Sequence, residues 1–122
     1  MRGFITTSVL FILLLIGMVL NYFFVNEVHD HMHSLVKMIS TDDIKKNESV
    51  IIELQNYWDK KNAFLCLSVS FREIDELSCS LDSLEAANKN YDKVQIAIYK
   101  EHLQNDIDAI MRLERISIKN IL

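Results

Sequence analysis

The chain is predicted to be all-α, with one N-terminal transmembrane helix followed by a small antiparallel helical bundle of three to four helices. Three observations predict this. Residues Phe4 to Val25 run for 22 positions without a charge. The 97 residues after them contain neither glycine nor proline, since Gly3 precedes the apolar run and Gly17 lies within it. Hairpins and tight loops are built from those two residues, so strands are disfavoured and long helices favoured. Finally, apolar residues beyond the run recur every three or four positions, the period of one face of a helix.

The apolar run has the length an α-helix needs to cross a hydrocarbon layer of roughly 30 Å. Its centre, Val9 to Leu20, is nearly all Leu, Ile, Val, Phe and Met, each contributing favourably to insertion. Thr6, Thr7, Ser8 and Asn21 lie towards its ends, and in-helix hydroxyls can bond back to backbone carbonyls. Tyr22 suits the far interface. A cleaved secretory signal would need small residues at the cut, whereas Asn21-Tyr22-Phe23-Phe24-Val25-Asn26 offers no such pair. The expected anchor is therefore uncleaved, occupying 1–25 and meeting the lipid bilayer through residues 4–25. Arg2 precedes the run, and Glu27 and Asp30 follow it. The positive-inside tendency places the N-terminus in the cytoplasm and residues 26–122 outside, as an extracytoplasmic helical domain on the cell membrane.

Within that domain, Val28, Met32, Leu35 and Ile39 form the first stripe, on a helix that can simply extend the membrane helix. Ser40-Thr41-Asp42-Asp43 is a capping-type break. Ile51, Leu54, Trp58 and Leu65 mark a second helix, with Lys61 filling the gap. Ser70 and Glu73 have capping-box spacing ahead of Ile74, Leu77, Leu81 and Leu84. Ala87-Asn88-Lys89-Asn90 reads as a turn, with Asn90 as N-cap and Asp92 in the first turn of the last helix. Ile96, Tyr99, Leu103, Ile107, Ile110 and Leu113 make the longest stripe. The predicted helices are roughly 15, 27, 17 and 25 residues, and such short connections make antiparallel neighbours.

Chemistry is sparse. The domain carries 12 basic and 17 acidic residues, a charge of −5, which argues against nucleic acid as a partner. His29 and His33 are spaced i, i+4 like a two-histidine metal pair, with Asp30 close by, but His31 lies on another face and Zn²⁺ needs three or four ligands. Solvated histidines are the expected reading, with a pH response of the cluster as the alternative. Cys66 and Cys79 stand level across the second connection but out of phase for a disulfide, so free thiols are expected. Glu73, Asp75, Glu76, Asp82 and Glu85 read as the wet side of an amphipathic helix, and Trp58 as a structural core residue. Without glycine after Gly17 there is no Gly-rich phosphate loop or nucleophile elbow. No enzyme and no cofactor are expected.

At Trp58-Asp59-Lys60-Lys61, Glu73-Ile74-Asp75-Glu76 and the terminal Leu113-Glu114-Arg115-Ile116-Ser117-Ile118-Lys119-Asn120-Ile121-Leu122, the chain resembles the uncharacterised bacterial single-pass membrane protein family named domain of unknown function 4363. The resemblance implies an α-helical domain from a Gram-positive, spore-former-like bacterium and transfers no activity. Ile116, Ile118, Ile121 and Leu122 stay apolar where chains usually turn polar, so this tail is expected either to pack back or to offer a surface to a partner. The expected function is a membrane-anchored helical interaction or structural module of the bacterial envelope, docking on a protein partner or a second copy. The alternative is an extracytoplasmic sensor or ligand-binding domain answering metal or pH through His29 and His33.

Overall fold

The structure, a computed structural model, describes residues 1–65 and 70–121, with side chains described up to Arg112. It contains four helices, α1 (Arg2–Lys37), α2 (Ile44–Leu65), α3 (Phe71–Lys89) and α4 (Lys93–Ile121), and no strand among the described residues. Each helix packs on its sequence neighbour and α4 closes back on α1, while among the described residues the diagonal pairs α1–α3 and α2–α4 make no close backbone approach. Cross-helix pairs give the direction. Phe24 meets Phe64 and His31 meets Tyr57, so α1 and α2 run antiparallel. Trp58 pairs with Ser78 and Gln55 with Glu85 across α2 and α3. Lys100 reaches Ile39 and His29 reaches Asp108 across α1 and α4. The result is an up-down four-helix ring.

α1 is a single 36-residue helix, about 54 Å long at the usual rise. Nothing at Val25–Asn26 interrupts it, because neither Asn26 nor Glu27 breaks a helix. Its two halves differ in what covers them. From Phe4 to Leu20 the large apolar side chains are exposed except for half-buried Leu15 and Met18, whereas Val25, Val28, Met32, Leu35 and Val36 are buried among the other helices. The bundle therefore has four helices, the first being the continuation of the apolar rod. α1 closes with short turns, the N–H groups of Met38 and Ile39 donating to the carbonyls of Leu35 and Val36.

The interior is one apolar cluster from Val25 to Met111. Leu54, Leu65, Leu77, Leu84, Ile96 and Leu103 are wholly covered, each such side chain contributing about 1.5–3 kcal/mol. Tyr99 is only partly covered and packs on the cluster's edge.

The far connections are held by polar groups. Asn47 and Asn88 are the two buried polar residues among those described, each in phase with the apolar stripe of its own helix. The Ser40 N–H donates to Asn47 Oδ1 at 2.9 Å, and Asn47 Nδ2 donates to the Ser40 carbonyl at 2.6 Å and to Asn88 Oδ1 at 3.2 Å. One side chain thus fixes the α1–α2 link and ties it to the end of α3. Asn47→Ala should cost about 2–3 kcal/mol, because the groups it leaves unpaired are sheltered from water. Urea denaturation of the full chain in non-ionic detergent measures this. The pair Asn47→Ala with Asn88→Ala should cost less than the two single changes added together.

The helix starts are capped as well. Asp43 Oδ1 accepts from the Lys46 N–H, and Ser70 Oγ accepts from the Glu73 N–H, the bond its spacing predicts. At α4 the expected cap is displaced. Asn90 is the C-cap of α3, Tyr91 takes a left-handed φ of 54°, and Asp92 is the residue whose carboxylate accepts from the Gln95 N–H. The reversal at Tyr91 turns the chain before α4 can begin, moving the cap two positions on.

Candidate functional site

The polar groups that could do chemistry gather on the seam between α1 and α4. The helical spacing of four residues stacks the rings of His29 and His33, centroids 5.7 Å apart and nearly parallel. His29 is held at both nitrogens, Nδ1 lying 3.0 Å from Asp30 Oδ1 and Nε2 lying 2.8 Å from Asp108 Oδ1. A neutral imidazole supplies one donor, and only the imidazolium supplies a donor to each carboxylate. His33 Nδ1 is covered and has no hydrogen-bond partner among the described residues.

Beside this pair, α1 and α4 border an open cleft of about 870 Å³. Lys37, Lys100, Glu101 and Asp108 border it, two cations against two anions, so its charge selects neither sign of ligand. Lys100 is already committed, its Nζ donating to the Ile39 carbonyl at 2.7 Å at the end of α1. No group of three or more His, Cys, Asp or Glu side chains is placed to hold a metal among the described residues. A metal at His29 would have to displace a carboxylate from each nitrogen it used.

A second cluster lies on the α1–α2 seam. His31, on another face from His29 as its position predicts, lies against Tyr57 with ring centroids 4.1 Å apart. Lys61 Nζ sits over the rings of Phe24 and Tyr57, at 5.6 and 5.7 Å. This explains how a lysine occupies an apolar stripe: its stem covers the rings and its ammonium meets their faces. Burial pushes the Tyr57 phenol above its ordinary value, with the charge of Glu27 adding to the effect. The Tyr57 hydroxyl has no partner among the described residues.

Trp58 is a core residue. It is 2 % exposed, and its indole N–H donates to Ser78 Oγ at 2.8 Å. Of the acidic groups, Asp75, Glu76 and Asp82 are exposed and Glu73 is half-buried. Glu85 has specific partners in Gln55 and, at 2.9 Å, Lys89. The hydrogen bonds from Lys89 and then Gln55 hold its carboxyl below the usual carboxylate range, and the same contact holds Lys89 above the usual lysine value. Cys79 is a free, exposed thiol, and Cys66 lies outside the described residues. Ile116, Ile118 and Ile121 fall on the last turns of α4, but their side chains, and Leu122 entirely, also lie outside the described residues.

Sequence reasoning did not join His29 to Asp108, 79 positions away. Nor did it see Asn47 and Asn88, although both continue the spacing of their stripes and could have been found from it.

Comparison with known proteins adds one finding. A family model described as a domain of unknown function (DUF4363) matches residues 19–121. The matched stretch is the bundle together with the last part of the apolar run. No curated protein and no solved structure matches the chain.

Proposed function

The chain belongs to the family described as domain of unknown function DUF4363, and from that footing we propose that it is a membrane-tethered, non-catalytic interaction module of the bacterial envelope. One observation carries the reading. The one helix among the described residues that is long and apolar enough to cross a membrane is continuous with the first helix of the bundle. In this reading the rod between Phe4 and Val25 lies in the bilayer, the N-terminus is cytoplasmic, and the bundle stands outside as a docking body. Its partner is a protein of the envelope or a second copy, rather than nucleic acid, which the acidic balance disfavours. The tail with Ile116, Ile118, Ile121 and Leu122 is the proposed contact region. Photo-crosslinking from positions 116 and 118 in intact membranes should give a defined adduct. Recovery of uncrosslinked chain alone, from both positions, would count against the reading.

A second reading is favoured by the geometry of His29, namely a pH-responsive body. The groups facing His29 are Asp30 and His33 on α1 and Asp108 on α4, with Lys37, Lys100 and Glu101 around the adjoining cleft. His29 clasps α1 to α4 through Asp30 and Asp108, and the charged ring has a donor for each carboxylate where the neutral ring has one. A stability difference between the parent and His29→Gln that is the same at about pH 5 and about pH 8 would remove this reading. Adding Zn²⁺ should leave the melting temperature unchanged.

A further inference from the structure

The two most membrane-near ends of α2 and α3 carry aromatic side chains that the bundle does not cover. Phe64, in the last turn of α2, is 61 % exposed, and Phe71, the first residue of α3, is 75 % exposed. Both lie at the end of the bundle from which the apolar rod projects. Phe24, within the rod's final turn, meets Phe64 edge to face with ring centroids 6.2 Å apart. The antiparallel pairing of Trp58 with Ser78 and of Gln55 with Glu85 brings the start of α3 to the same end. The other two connections lie at the opposite end, where Asn47 meets Asn88. A bilayer that encloses α1 as far as Val25 therefore reaches the level of Phe64, since a ring inside the enclosed run touches it.

From this juxtaposition we infer that the α2–α3 end of the bundle rests on the lipid surface, with Phe64 and Phe71 inserted at the boundary between headgroups and acyl chains. The bundle then has three attachments to the leaflet instead of one, and its tilt relative to the bilayer is fixed. Interfaces of this kind accept aromatic rings, whose burial there is driven by the apolar area removed from water. The nearby cations Lys60, Lys61 and Arg72 are offset by Asp59, Asp75 and Glu76, and Arg72 is bound to Glu76 at 3.2 Å. The attachment is thus apolar and should not be released by salt. The inference rests on the reading that α1 lies in the membrane.

Tryptophan scanning separates the two. Leu13→Trp, Phe64→Trp, Phe71→Trp and Tyr91→Trp are each made in the full chain and reconstituted into two sets of phosphatidylcholine vesicles, brominated near the headgroup to read positions 64, 71 and 91 and near the acyl-chain end to read position 13. The constant signal of buried Trp58 is subtracted. Tyr91, at the far end, is 62 % exposed and serves as a control matched to Phe64. The expected result is blue-shifted, quenched emission at 64 and 71, in low and high salt alike, with quenching at 13 and none at 91. Quenching at 13 without quenching at 64 and 71 would overturn the inference and leave the membrane rod standing. Absence of quenching at 13 would overturn both. Quenching at 91 equal to that at 64 would also overturn it, because the contact would then not belong to the base.

Discussion

Trp58→Ala should lower the unfolding free energy of the bundle by about 3–5 kcal/mol, the range for removing a fully buried tryptophan. Trp58 is 2 % exposed and belongs to the one apolar cluster. Truncation therefore removes the transfer free energy of the indole and leaves a void that four rigid helices close only in part. For a domain of this size, with a net stability of roughly 5–15 kcal/mol, that is a large share. The hydrogen bond to Ser78 Oγ is a smaller contribution and can be separated from it. Trp58→Phe keeps most of the volume and removes the donor, so it should cost much less than Trp58→Ala. Ser78→Ala leaves the indole N–H without its acceptor and should cost about 1 kcal/mol. Urea unfolding of the full chain in non-ionic detergent, followed by far-ultraviolet circular dichroism, measures all three. The loss of helix signal reports the bundle, because a helix inside the micelle resists urea.

The second large effect is on insertion. Replacing Leu13 and Leu14 together by lysine should disfavour a membrane-spanning α1 by roughly 6–8 kcal/mol, counting two central cations gained and two leucines lost. Both leucines are exposed, at 58 and 60 %, and neither touches the bundle. The uncharged segments left on either side, Phe4–Ile12 and Leu15–Val25, are each too short to span a bilayer core. Membrane recovery should fall to near the background of a soluble protein, while the bundle's urea midpoint stays close to the parent's. That combination separates a rod that anchors from a rod that supports the fold. A matched loss of bundle stability would show that residues 13 and 14 are part of the packed body.

The helical elements were legible because each obeys a local rule. Every stripe residue from Val28 to Ile39, from Ile51 to Leu65 and from Ile74 to Leu84 is buried as its spacing predicts, and the Ser70 cap forms where its spacing places it. Ring closure was not legible, because the choice between three and four core helices depends on whether α4 returns to α1. That contact is made by side chains such as Lys100 and Asp108, far in sequence from Ile39 and His29. The shift of the α4 cap from Asn90 to Asp92 depends on the left-handed Tyr91, and tyrosine carries no preference for that conformation. Asn47 and Asn88 keep the spacing of their stripes, but being polar they break the apolar pattern that marks a stripe. Polar residues are read as surface unless a partner is known, and their partners are one another and Ser40.

The central claim is that one uninterrupted helix is both the membrane span and the first member of the bundle. Alkaline carbonate extraction of membranes from cells expressing the chain, followed by N-terminal sequencing of the pelleted species, tests it most directly. The account predicts full retention in the pellet and an N-terminus that still precedes Phe4. A species released by carbonate, or one whose N-terminus begins beyond Leu20, would contradict it.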